Sequence, residues 1–184
     1  MKVVYLDNNA TTKTAPEVVD TMLPYFTDLY GNPSSMHTFG GQVARQVQSA
    51  REQIATLIGA DPMEIVFTSC GTESDNAALW GTLNSYPQKN HIITTRVEHP
   101  AVGNLATYLS KKGYKVTALP VDREGRLDPD QLSAAITEET ALVSIMWANN
   151  ETGVLFPIEK IAQMVKSRGV VFHTDAVQAL GKLP

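Results

Sequence analysis

The chain has one cysteine, Cys70, in 184 residues, so no internal disulfide can form and a stapled small-domain scaffold is excluded. A reducing, cytoplasmic setting is the expectation that follows. Basic residues are not in excess either. Fifteen Lys and Arg against 19 Asp and Glu leave a formal net charge of -4, which gives no general attraction for nucleic acid or for an anionic membrane surface. No apolar run approaches bilayer-spanning length, and Met1-Lys2-Val3-Val4-Tyr5-Leu6-Asp7 lacks the apolar core of a secretory signal. Fixed-period repeats and low-complexity segments are also missing. What remains is a composition of 43% hydrophobic and 18% charged residues, enough to bury a core in one domain, or in a domain with an arm.

The apolar pattern alternates between two periods. Val3 to Leu6 is a short apolar run that stops at the turn-rich Asp7-Asn8-Asn9-Ala10-Thr11-Thr12, which reads as an ordered arm over residues 1–14. Pro16 then opens a helix with Val18, Val19, Met22 and Leu23 on one face, disturbed at its end by Pro24. Residues 30–37 form a loop by their Gly, Pro and Ser content, and Val43 to Ile58 follow helical spacing up to Gly59. Strands are expected at 65–68, 91–95, 115–119, 141–146 and 170–173, with helices over 72–83, 101–112, 129–136 and 158–168 between them. Such alternation predicts an α/β fold with a largely parallel sheet.

One stretch carries more than periodicity. Ile65-Val66-Phe67-Thr68 reads as a strand, Ser69-Cys70-Gly71 as a turn and Thr72-Glu73-Ser74-Asp75-Asn76 as a helix start. The first N–H groups of a helix have no internal partner and the macrodipole is positive there, so Gly71, Thr72 and Ser74 can cradle a phosphate. The same residues are also ordinary helix caps.

In open α/β sheets, ligands bind outside the carboxyl ends of the strands. The polar groups at Thr72, His99, Asn150 and Asp175 each follow an expected strand, so the topology brings four scattered clusters to one edge. Pyridoxal phosphate suits that set. Its ring is an electron sink only while the ring nitrogen is protonated, and a buried carboxylate such as Asp175 favours that state. His99 offers a flat imidazole to stack on the ring and move a proton, and Asn150 and Gln178 can hydrogen-bond the ring's phenolic oxygen. Each also has a plainer reading: Asp175 as the cap of a helix at Ala176, His99 before Pro100 as a packed loop residue, Asn149-Asn150 as a turn.

The motifs Gly31-Asn32-Pro33-Ser34-Ser35, Thr68-Ser69-Cys70-Gly71-Thr72-Glu73-Ser74, Glu98-His99-Pro100-Ala101-Val102, Met146 to Gly153, and His173-Thr174-Asp175-Ala176-Val177-Gln178 resemble those of the cysteine desulfurases of the NifS/IscS group. These belong to the class V aminotransferase-like, fold-type I pyridoxal phosphate enzymes. Cys70 and Trp147-Ala148 resemble the nitrogen-fixation branch. The resemblance implies residues 15–184 to be the N-terminal part of a three-layer, mostly parallel large domain. It implies Gly71 and Thr72 at the cofactor phosphate, His99 on the ring face with a catalytic proton-transfer role, and Asp175 at the ring nitrogen. Asn150 and Gln178 would lie on the ring's oxygen side and Asn32 at the carboxylate of an L-cysteine substrate. It also implies a homodimer at full length, a sulfur acceptor such as an iron–sulfur scaffold, no metal, no nucleic acid and no membrane.

Two elements of the family pattern are missing from these residues: the Schiff-base lysine in a Ser-x-His-Lys context and the mobile-loop cysteine that takes the substrate sulfur. Lys182 follows the strand-end motif too closely to be that lysine, and Cys70, in the phosphate turn, is expected to be a packed core cysteine. The chain alone is therefore expected not to turn over. A selenocysteine lyase, another class V enzyme, or a non-catalytic scaffold fragment are the competing readings.

Overall fold

A computed structural model describes residues 3–183 as two compact units, Met1–Phe67 and Thr68–Pro184. In the first unit, helix α1 (Pro16–Met22) begins at a proline, whose missing N–H costs nothing in the first turn. It stops two residues before Pro24, which opens α2 (Pro24–Thr27). Helix α3 (Thr38–Ile58) is capped by His37, whose Nδ1 accepts from the Gly40 N–H at 3.1 Å, and it ends at Gly59 with φ 69°. A Cβ on Gly40 would lie 2.4 Å from the Asn32 carbonyl oxygen, so the loop before α3 and the start of the helix fit only with glycine there. A 3-10 turn (Pro62–Glu64) follows, closed by reciprocal Asp61 and Glu64 side-chain bonds.

The strand expected over 65–68 is not formed. Val66 and Phe67 are 78% and 49% exposed, and no described strand pairs with the segment, which leaves it without the ladder that defines a strand. Within this unit only Gly40, Val43 and Ala55 are buried among the described residues. The apolar arm of Val3 to Leu6 and the Val18, Val19, Met22 and Leu23 face of α1 are exposed.

The second unit holds the core. Helices α4 (Gly71–Ser85), α5 (Pro100–Lys111), α6 (Pro129–Ala135) and α7 (Ile158–Ser167) alternate with strands β1 (His91–Thr95), β2 (Lys115–Leu119), β3 (Thr140–Ser144) and β4 (Val171–His173). The sheet is wholly parallel, in the order β2-β1-β3-β4. The central strands β1 and β3 are buried along their whole length, as parallel strands covered on both faces must be.

Alternation along the strands divides the core into two layers. Ile92, Leu142 and Val171 face one side and meet Leu79 and Leu83 of α4 with Val102, Leu105 and Leu109 of α5. Ile93, Val143 and Phe172 face the other and meet Leu132 of α6 with Ile161 and Val165 of α7. Each fully buried Leu, Ile or Val contributes about 1.5–3 kcal/mol, so these layers and not helix propensity hold the unit together. Gly113 and Gly169 end α5 and α7 with φ of 96° and 66°, so those helix stops match the sequence reading.

Candidate functional site

At the carboxyl ends of the strands one face of the sheet turns polar. Helix α4 begins at Gly71 after Cys70, which is fully extended (φ -168°) and closes no side-chain cap hydrogen bond. The Ser69 N–H and hydroxyl instead both donate to Glu73, at 2.6 and 2.5 Å, and Ser74 Oγ lies 2.6 Å from Thr68 Oγ1. Cys70 is exposed, which corrects the expectation of a packed core cysteine. The Glu73 N–H, then the Ser69 hydroxyl, favour its thiolate and lower its pKa.

Gly71 lies against the turn that follows β4: a Cβ there would stand 3.1 Å from Val177 Cγ2. That turn carries Asp175, which is 9% exposed. Its Oδ1 accepts from the Val177 N–H at 3.0 Å and its carbonyl oxygen accepts from the Trp147 N–H at 2.9 Å. The plainer cap reading of Asp175 is therefore present, as one bond on one oxygen. Gln178 follows in the same turn, with its Oε1 accepting from Lys182 Nζ at 2.7 Å.

His99 caps α5 through Nδ1, which accepts from the Ala101 N–H at 3.2 Å. This fixes the neutral ring as the Nε2–H tautomer. His99 is exposed and sits near enough to Asp75 to favour that carboxylate's charged form. Asn150 donates to its neighbour Glu151 at 2.9 Å. Asn32 belongs to the first unit, where its Oδ1 accepts from the Ser34 N–H at 2.9 Å.

Four residues that the sequence reading left without a role organise this edge. Asn149 ties the loop after β3 to the loop after β1. Glu98 accepts from the Thr95 hydroxyl at 2.7 Å and from the Met146 N–H at 3.1 Å. Burial pushes the Glu98 carboxyl up to about 7, against those two donors and with the aid of the Asp175 and Asp75 charges. Asp75, one turn into α4 and 4% exposed, is pushed up to about 6, first by burial and then by Asp175. His173 ends β4, two residues before Asp175, and burial lowers its pKa while the Asp175 charge opposes that.

The edge thus joins an uncapped helix start, a buried carboxylate and an imidazole. No described group of His, Cys, Asp or Glu is arranged to hold a metal ion, and no described helix is long and apolar enough to cross a membrane.

The chain belongs to the class V aminotransferase family, whose profile matches residues 4–184. Within that family it is similar to a cysteine desulfurase of Trichormus azollae, 63% identical over 184 residues that make up 100% of this chain and 46% of that protein. It is 54% identical over 182 residues to cysteine desulfurase NifS of Azotobacter vinelandii, covering 98% of this chain and 45% of that one. Among solved structures it superposes on a NifS-like protein with a TM-score of 0.95 at 43% identity, over 98% of this chain and 50% of that one. It also superposes on SspA in complex with cysteine, with a TM-score of 0.92 at 37% identity, over 95% and 51%. The second unit is accordingly part of a fold-type I large domain, and the chain spans about half the length of the curated relatives it matches.

Proposed function

We propose that this chain is the N-terminal part of a pyridoxal phosphate-dependent cysteine desulfurase. The complete protein converts L-cysteine to L-alanine and passes the sulfur, as an enzyme persulfide, to an acceptor of iron–sulfur assembly. The observation that carries the reading is the juxtaposition of the Gly71 helix start with the Asp175 turn, through Val177. A phosphate needs the first; a protonated ring nitrogen needs the second.

The residues fit the cofactor in three respects: only the weak acceptor Cys70 Sγ faces first-turn N–H groups of α4, a Cβ at Gly71 would crowd the helix start, and Asp175 is a buried acid beyond a strand end. When bound, the cofactor supplies an electron-withdrawing ring that stabilises negative charge at the substrate α-carbon. Gly71 and Thr72 hold the phosphate. Asp175 keeps the ring nitrogen protonated. His99, with Nδ1 engaged at Ala101, stacks on the ring and uses Nε2 as the catalytic proton carrier. Asn150 and Gln178 hydrogen-bond the ring oxygen, and Asn32 holds the substrate carboxylate. The Schiff-base lysine and the sulfur-accepting cysteine are supplied by sequence outside these 184 residues, which is the reading that relatives of about twice the length support. The complete protein acts as a cytoplasmic homodimer.

Titrating the purified chain with pyridoxal phosphate tests the cofactor part, with binding expected for the wild type and lost in Asp175→Ala. Supplying L-cysteine to the longer protein tests the reaction, with alanine and sulfide as expected products and none from the 184 residues alone. Equal binding by Asp175→Ala would overturn the site. A marked preference for L-selenocysteine would move the assignment to a lyase of the same fold.

A further inference from the structure

Three polar side chains occupy one sheet face on adjacent strands: Thr94 on β1, Ser144 on β3 and His173 on β4. Ser144 and His173 are register partners, and Thr94 follows Ile93, the partner of Val143. Two residues earlier on that same face stand Ile92, Leu142 and Val171, all apolar and packed under α4 and α5. Leucine or valine would continue that layer; this chain places polar groups there instead. His173 Nδ1 lies 2.9 Å from Ser144 Oγ, and its Nε2 lies 3.6 Å from Oδ1 of Asp75 on α4. Their side chains are 16% and 6% exposed. Thr94 Oγ1 is buried without a hydrogen-bond partner among the described residues.

Taking the Asp75 carboxylate out of water beside the part-buried His173 imidazole carries a desolvation cost that only good geometry and further hydrogen bonds offset. The groups that act on Asp75 are His173 from β4, Asp175 from the turn beyond it, and Glu98 and His99 from the segment before α5. Two of these are like-charged acids. Asp75 therefore adds or withholds a negative charge near enough to Asp175 for the two to repel.

We propose that Asp75, acting through His173, is a positioning residue for Asp175: it orients the His173 imidazole between itself and Ser144, and its ionisation deepens the negative potential at the ring-nitrogen end of the cofactor site. This rests on the reading that Asp175 faces the pyridine nitrogen. With Asp75 ionised, the proton on the ring nitrogen is held more tightly; with Asp75 protonated or replaced by a neutral residue, it is held less tightly.

The test uses pyridoxal phosphate labelled with 15N in the ring, bound to the wild-type protein and to Asp75→Asn, Asp75→Ser and Glu98→Gln. The ring-nitrogen shift is expected to move with a midpoint near 6 in the wild type, where Asp75 titrates. That step is lost in both Asp75 variants and kept in Glu98→Gln. In cofactor-free protein, 15N signals of the His173 ring are expected to show a step with a midpoint near 6 as Asp75, 3.6 Å from Nε2, takes up its proton, and to lose that step in both Asp75 variants. A merely structural Asp75 would alter melting temperature but neither titration, and persistence of both in Asp75→Asn and Asp75→Ser overturns the proposal. Should the wild type take up no cofactor, the proposed function fails while the His173 titration still decides the coupling.

Discussion

Asn149 donates from Nδ2 to the Val97 carbonyl oxygen at 2.9 Å, joining the loop after β3 to the loop after β1. Its Oδ1 accepts from the N–H groups of Glu151 and Thr152 and from the Thr152 hydroxyl, at 2.9 to 3.0 Å. Asn149 is 7% exposed, so removing the amide leaves several of these partners unsatisfied near the interior. Asn149→Ala is expected to destabilise the protein by about 2–3 kcal/mol, from the cost of stranded donors and acceptors. Urea unfolding measures this, and a loss below about 0.5 kcal/mol would mean that water replaces the amide without penalty.

Gly71→Ala separates fold from function. The backbone at Gly71 is helical with no positive φ, and the near neighbour of an added Cβ is the end of Val177, whose side chain is exposed. Stability should therefore change by less than about 0.5 kcal/mol, in the range of surface substitutions. Affinity for pyridoxal phosphate should fall about tenfold, or roughly 1.4 kcal/mol, as the methyl group enters the phosphate cradle. Isothermal calorimetry alongside thermal melting reads both quantities, and unchanged affinity would remove Gly71 from the phosphate site.

Glu98 makes stability depend on pH. Its folded-state pKa is raised to about 7 from the ordinary carboxylate range, so the folded protein binds more protons than the unfolded chain between about pH 4.5 and 7. Stability from this group is present at the acid end and lost as pH rises through 7. His173 runs the other way: its pKa is lowered by burial, so its penalty appears as pH falls below its unfolded value. Glu98→Gln keeps an oxygen to accept from Thr95 and Met146 while removing the charge. Its melting temperature should fall less than that of the wild type between pH 5 and 7; parallel curves would show that Glu98 remains ionised across that range.

Cys70 should react with a disulfide reagent in the native state without denaturant, with a pH midpoint below that of a free thiol, because it is exposed and the Glu73 N–H favours its thiolate. Cys70→Ser should fold normally and abolish the reaction. A requirement for denaturant would restore the buried reading of this thiol.

Strands β1 and β2 match the sequence reading residue for residue, and α7 nearly so, because a short β-branched or alternating run, or a 3.6-residue stripe ended by Gly, leaves one local choice. The segment 65–68 has the same apolar, β-branched character yet forms no strand. Pairing is a property of two segments, and no local pattern reports whether the second is in place. Cys70 differs from its expected burial for a related reason: residue type predicts average burial, whereas its exposure follows from standing at the start of a helix.

The candidate site divides the same way. Residue chemistry and strand order place Gly71, Thr72, His99, Asn150 and Asp175 after strands or at helix starts, and that much follows from the order of amino acids along the chain. That Asp75, Glu98 and His173 each feel the charge of Asp175 was decided only when the sheet formed and α4 packed upon it. Periodicity determines which face a residue takes. Which charges then meet, and how far burial shifts their protons, depends on distances between segments that are far apart in the chain.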